Sequence, residues 1–225
     1  MADHDHDHDH GAGFTHDGRP IQEDGGASYF EKRAKAIERI LVAKGVVTAE
    51  EVRRQIEAMD TLTTEGPGRG AQIIAGAWTD PEYKQLLLSD PKTALAQIGV
   101  DYGEMNVLVV VENTPAVHNV VVCTLCSCYP RPLLGLPPDW YKSLEYRSRT
   151  VADPRGVLQE FGTDVSPDVE VRVHDSSADV RYLVVPERPP GTEGWSAERL
   201  VSLITRDSMI GVVRALAPEE APAAV

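Results

Sequence analysis

Across residues 29–44 the apolar positions Phe30, Ala34, Ile37 and Leu41 recur at helical spacing, and Gly45 stands where a C-terminal cap is needed. A second amphipathic helix is expected after Thr48. Its hydroxyl can accept from the Glu51 amide while the Glu51 carboxylate reaches back, and Val52, Ile56 and Met59 form its stripe. The run TLTTEGPGRG, residues 61–70, reads as a break that sets these two helices off as an arm over residues 28–70. Each stripe needs cover, from this chain's own domain or from another subunit. For a helical hairpin remote from the core, another subunit is the simpler source. Residues 71–78 read as a short helix. Asp80-Pro81 and Asp90-Pro91 each place a capping carboxylate before a proline at the first helical position, so two further short helices should follow, ending near Gly99.

The period then changes. Residues 106–111 and 119–122 are β-branched and apolar, as buried strands are, and residues 169–174 and 180–185 read as a second, mutually paired set. Between the two sets, Pro130, Pro132, Pro137 and Pro138 argue against regular structure until Asp139, where a helix should start, with Trp140 and Tyr141 as core residues. Asp153-Pro154 opens another helix, and Ser196 caps a final one through Ile204. Helices first, then strands with interspersed helices, give an α+β fold: a helical arm followed by a layered α/β domain over residues 71–216, with a flexible tail at 217–225.

Composition narrows what such a fold can do. The first 27 residues alternate Asp and His and then become Gly-rich, too poor in apolar groups to order themselves, so a disordered and loosely metal-collecting tail is expected. A net charge of -13 would repel a phosphate backbone, which speaks against nucleic acid as a partner. No run of about 18 uncharged apolar residues exists, and the acidic start is not a secretory signal, so the reading is a cytoplasmic protein without a membrane span.

All three cysteines fall within VVCTLCSCYP, residues 121–130, at the end of a predicted strand: Cys123, Cys126 and Cys128. Spacing i, i+3, i+5 on a tight loop lets three sulfurs converge on one metal ion. Structural zinc ordinarily takes four N or S ligands from two separated pairs, and here a second pair is missing. His118 could be a fourth ligand or a packed core histidine. A redox pair is a further reading, against which stand the odd cysteine count and the lack of a thioredoxin-like context. The loop itself offers two more donors, the backbone nitrogens of Ser127 and Cys128. Three sulfurs and two deprotonated amides would fill five positions of an octahedron and leave the sixth open, an arrangement suited to low-spin trivalent cobalt or iron rather than zinc.

CTLCSC, followed by YP and GLPPDWYKSLEYRSR and preceded by VVVENTPAVHNVVV, resembles the α subunit of nitrile hydratase, and the similarity extends over residues 71–213. The resemblance implies Cys123 as an axial thiolate, Cys126 as the cysteine oxidised to sulfinic acid and Cys128 as the one oxidised to sulfenic acid. Cys126 and Cys128 thereby become the catalytic sulfurs, and Ser127 and Cys128 give the amide ligands. Thr124 resembles the cobalt branch, so one cobalt per subunit is implied, with iron as the alternative. Asp175 and Arg181 match polar residues near the family's site, where an aspartate–arginine pair would brace the metal loop or simply cap neighbouring strands. The implied reaction is hydration of a nitrile to an amide, with β-type chains of the same enzyme, one or two, completing the site.

Two features resemble the thiocyanate hydrolase γ subunit instead: the Asp/His start and Arg131, at a position where many nitrile hydratases carry Trp. A three-chain branch acting on a nucleoside nitrile would reconcile both sets. A metal-storage or metal-delivery protein is the reading from another class.

Overall fold

Thr48 and Glu51 make the reciprocal cap their spacing predicts. Thr48 N donates to Glu51 Oε2 at 2.7 Å, and Glu51 N donates to Thr48 Oγ1 at 3.1 Å. The computed structural model describes residues 29–103 and 106–221, the side chains of 29–31 and 57–67 excepted. The Asp/His tract and the side chains of Phe30 and Met59 therefore lie outside the described residues. The chain divides into two compact units, residues 1–54 and 55–225. In the first, α1 (Tyr29–Ala43) leaves Ile37 and Ile40 exposed.

The helix opened by Thr48, α2 (Ala49–Thr79), runs on through TLTTEGPGRG, where the sequence predicts a break. Packing accounts for the difference. From Gly70 onward the helix buries Ala71, Ile73, Ile74, Ala75 and Ala77, and anchored turns override the weak local preference of the Gly-Pro run before them. Gly70 is required there, because a Cβ would stand 2.6 Å from Leu133 O and 2.8 Å from Met209 Sδ. The short helices α3 (Pro81–Ser89) and α4 (Pro91–Gln97) start as predicted, with Asp80 accepting from the Glu82 and Tyr83 amides and Asp90 from that of Thr93.

Four strands follow in two parallel pairs: β1 (Val107–Glu112) and, after a tight turn, β2 (Val117–Val122), then later β3 (Glu170–Asp175) and β4 (Val180–Val185). The sequence reading paired the last two with each other. Instead β1 pairs with β4 and β2 with β3, both parallel, with Val110 opposite Leu183 and Val122 opposite Asp175. The apolar run NVVV of β2 lacks the alternation of a half-solvated hairpin, as a strand covered on both faces does, and residues 118–122 are all buried.

Between the strand pairs come α5 (Arg131–Leu134), α6 (Asp139–Lys142), α7 (Leu144–Ala152) and α8 (Pro154–Glu160). Helix α5 was not expected among the prolines, yet Pro132 falls in its first turn, where a missing N–H leaves no gap. The α9 helix (Ala197–Leu200) is capped by Ser196 and tightens into a 3₁₀ turn, Val201–Leu203, and α10 (Arg206–Ile210) closes the domain. Among the described residues no helix is long and apolar enough to cross a membrane.

A buried polar network ties the two strand pairs together. Asn119 N and Nδ2 donate to Asn113 Oδ1 at 2.7 and 3.0 Å, Nδ2 also donates to Glu112 O at 2.8 Å, and His174 Nε2 donates to Asn119 Oδ1 at 2.8 Å. Asn113 N in turn bonds Val185 O at 2.9 Å. Helices α7 and α8 pack on β2 and β3, α3 and α4 on β1, and α10 on β4. The C-terminal end of β2 thus enters its loop from a rigid, doubly covered strand.

Candidate metal centre

Strand β2 ends at Val122, and the chain turns at once through Cys123–Cys128. Cys123 is fully buried, Leu125 stands out at the tip with 84% exposure, Cys126 is exposed and Cys128 is half-buried. The three sulfurs lie within 4.8 Å of one another. Cys126 Sγ is the hub, 3.3 Å from Cys123 Sγ and 3.0 Å from Cys128 Sγ, and Cys126 N donates to Cys123 Sγ at 3.2 Å.

The electrostatics are uneven. Hydrogen bonds from Cys128 and Cys123, joined by the backbone N–H groups of Cys128 and Ser127, hold the Cys126 thiol below its ordinary value. Burial, together with the hydrogen bond to Cys126, pushes Cys128 up to about 12. Cys126 therefore ionises before Cys128. The backbone N–H groups of Ser127 and Cys128 add to the lowering of Cys126.

The donor set fits one metal ion. Among the described residues no further His, Cys, Asp or Glu joins the three sulfurs, so a four-ligand zinc site has no fourth side chain. His118 is a core histidine, buried, with Nε2 donating to Gly211 O at 2.8 Å. Cys123, Cys126 and Cys128 are the three donors that the structure brings together.

Three groups hold the turn from outside. Asp175, at the end of β3 and opposite Val122, accepts from Thr124 N at 2.9 Å and from Thr124 Oγ1 at 2.6 Å. Arg147, on α7, donates through Nε to Cys123 O at 3.1 Å and Thr124 O at 3.2 Å, and through Nη2 to Thr124 O at 2.6 Å. Tyr141, on α6, donates to Cys128 O at 2.9 Å. The sequence reading took Tyr141 as core only and did not single out Arg147. Tyr141 is indeed fully buried in a ring cluster with Tyr129, Trp140 and Tyr146, but its hydroxyl serves the loop. The only trace of both in the sequence is the polar–aromatic pattern of WYKSLEYRSR, which reads equally as an ordinary helix.

Asp175 and Arg181 are not joined to each other. Asp175 bonds Thr124, whereas Arg181 donates to the carbonyls of Ser177 and Val180. Arg181 does face the sulfurs, with Arg131, across a cleft of about 440 Å³ lined also by Tyr102, Asn106, Cys126, Ser127 and Cys128. A cleft of about 630 Å³ beside His118 and Arg214 is larger but does not include the cluster.

Parallel strands under helices, carrying three convergent thiols on one post-strand turn, define an α+β protein with a thiol metal site. The chain belongs to the nitrile hydratase alpha-chain family, whose profile matches residues 28–213. It is 52% identical over 192 residues to the high-molecular-weight cobalt-containing nitrile hydratase subunit alpha of Rhodococcus rhodochrous, covering 85% of this chain and 94% of that one. It is also 43% identical over 207 residues to thiocyanate hydrolase subunit gamma of Thiobacillus thioparus, covering 86% and 82%. Among solved structures it resembles a double mutant of the Fe-type nitrile hydratase of Comamonas testosteroni Ni1, at 41% identity and a TM-score of 0.80, covering 89% of this chain and 97% of that one.

Proposed function

We propose that this chain is the metal-binding catalytic subunit of an enzyme that adds water to a nitrile, R–C≡N + H₂O → R–CO–NH₂. The observation that carries the reading is the convergence of Cys123, Cys126 and Cys128 within 4.8 Å on one turn. These three sulfurs, with the Ser127 and Cys128 amides, would hold one low-spin trivalent cobalt, in keeping with the cobalt-containing relative, and that ion would supply a Lewis acid. Thiolates held in an accessible loop are the sulfurs most open to oxidation, and we assign sulfinic acid to Cys126 and sulfenic acid to Cys128. Cys126 and Cys128 both border the cleft, and we assign to the oxidised sulfur of Cys128 the attack on the nitrile carbon or the activation of water. Arg131 and Arg181 line the same cleft and favour a polar substrate through charge and forked hydrogen bonds. A nucleoside nitrile such as toyocamycin meets that description. One or two β-type chains complete the enzyme, which works in the cytoplasm. The division into a 1–27 tail, an arm over 28–70 for subunit contact, a catalytic domain over 71–216 and a 217–225 tail is part of the same proposal.

The second reading is thiocyanate hydrolysis. Two guanidinium groups on the cleft suit an anion, and one relative is a thiocyanate hydrolase gamma subunit. Assaying the complete complex with toyocamycin, a simple aliphatic nitrile and thiocyanate separates the two. Amide formation from a nitrile is expected, and turnover of thiocyanate alone would overturn nitrile hydration. A storage or delivery protein would instead show exchangeable metal and three unmodified thiols.

A further inference from the structure

The CTLCSC turn has more backbone polar groups than its own hydrogen bonds satisfy. The carbonyls of its first half, Cys123 and Thr124, find partners outside the turn. Those partners are concentrated on Thr124. Asp175 takes its N–H and hydroxyl from β3, and Arg147 takes its carbonyl, along with that of Cys123, from α7. Every polar group of Thr124 is thereby held, and the peptide planes on either side of it cannot rotate independently. Arg147 is half-buried, and a planar guanidinium donating to two successive carbonyls fixes their relative orientation in a way that a single-point ammonium does not.

We propose that Arg147 is the positioning residue that sets the shape of the metal-binding turn, with Asp175 as its counterpart on the opposite side of Thr124. This rests on the metal-centre reading above. Arg147 touches neither the sulfurs nor the cleft. It acts through the Cys123 and Thr124 carbonyls, holding Cys123 and Cys126 at the separation a single ion requires.

The test uses the complete enzyme with Arg147→Met, Arg147→Lys and, as a control, Arg149→Met. Arg149 is on the same helix but pairs with the exposed Glu160. Four quantities are read: cobalt per chain by elemental mass spectrometry, the rate of cobalt loss to a chelator, the sulfur-to-cobalt absorption band, and folded, assembled protein by circular dichroism and gel filtration. Arg147→Met should assemble like the parent, hold at least fivefold less cobalt, lose it at least tenfold faster and show a shifted band. Arg147→Lys should fall between the two, and Arg149→Met should match the parent. Parent-like content, exchange rate and absorption in Arg147→Met would overturn the proposal, as would a cobalt deficit that merely tracks a deficit of folded protein. A parent that holds no cobalt would overturn the metal-centre reading itself, and this inference with it.

Discussion

Tyr141→Phe isolates one contact of the metal loop. The ring is fully buried and packs edgewise on Tyr129 and Trp140, with centroids 5.3 and 5.9 Å away, and Phe keeps that packing. What is lost is the 2.9 Å hydrogen bond to Cys128 O. A neutral hydrogen bond contributes about 1 kcal/mol net, and a buried carbonyl left unpaired costs about 1–3 kcal/mol. Cys128 is half-buried, so water reaches its carbonyl in part and the lower end applies, about 1–2 kcal/mol. For a chain of this size that lowers the thermal midpoint by about 3–6 °C. Burial raises the Tyr141 phenol well above its ordinary value, so it stays a donor across neutral and mildly alkaline pH, and the deficit should not vary there. Thermal unfolding of parent and variant, prepared identically and followed at pH 7 and 8.5, measures it. A midpoint shift under 1 °C, or a deficit that vanishes at the higher pH, would refute the assignment.

Replacing Arg131 by Met removes one of the two cleft guanidinium groups. It should raise KM for a polar or anionic substrate by about tenfold, the ~1.4 kcal/mol of one charged contact, and leave a small aliphatic nitrile within about twofold. Equal losses for both would contradict a selecting role. His118 and His174 are both held below their ordinary 6.5 by burial. The folded chain therefore binds fewer protons than the unfolded chain once pH falls below about 6.5. Their stabilisation is fully present above that pH and is lost on acidification, at up to about 1.4 kcal/mol per pH unit for each histidine. Urea midpoints should fall between pH 7.5 and 5.5, and His174→Gln should reduce the slope by about half, whereas a flat parent profile would contradict it. Gly211→Ala places a Cβ 2.0 Å from Asn119 O at a φ of +88°, and should cost roughly 3 kcal/mol or more, read as a loss of folded protein. Wild-type yield and midpoint would show that the β2–α10 approach is looser than described.

The cluster of Cys123, Cys126 and Cys128 was legible because it is local. The i, i+3, i+5 spacing of Cys123, Cys126 and Cys128, with no fourth cysteine, already points to a site completed by something other than sulfur. Caps at Asp80, Asp90, Asp153 and Ser196 were legible for the same reason, since each involves only its next few residues. What the sequence reading missed depends on separation along the chain. Strands β3 and β4 are neighbours in sequence but pair with β2 and β1, a choice made by packing on both faces rather than by the short turn between them. The continuity of α2 through Gly66 and Pro67 comes from the burial of its second half. Arg147 reaches Thr124 from 23 positions away, and Tyr141 reaches Cys128 from 13. An arginine and a tyrosine on amphipathic helices carry no local mark of the backbone they bond.

The central claim is that the five donors of CTLCSC form an oxidised cobalt centre. Metal analysis of the active complex, combined with peptide mass spectrometry across residues 121–130, tests it most directly. One tightly held cobalt per chain, with two added oxygens on Cys126 and one on Cys128, is the predicted result. Zinc alone, with three unmodified thiols in the active complex, would contradict it.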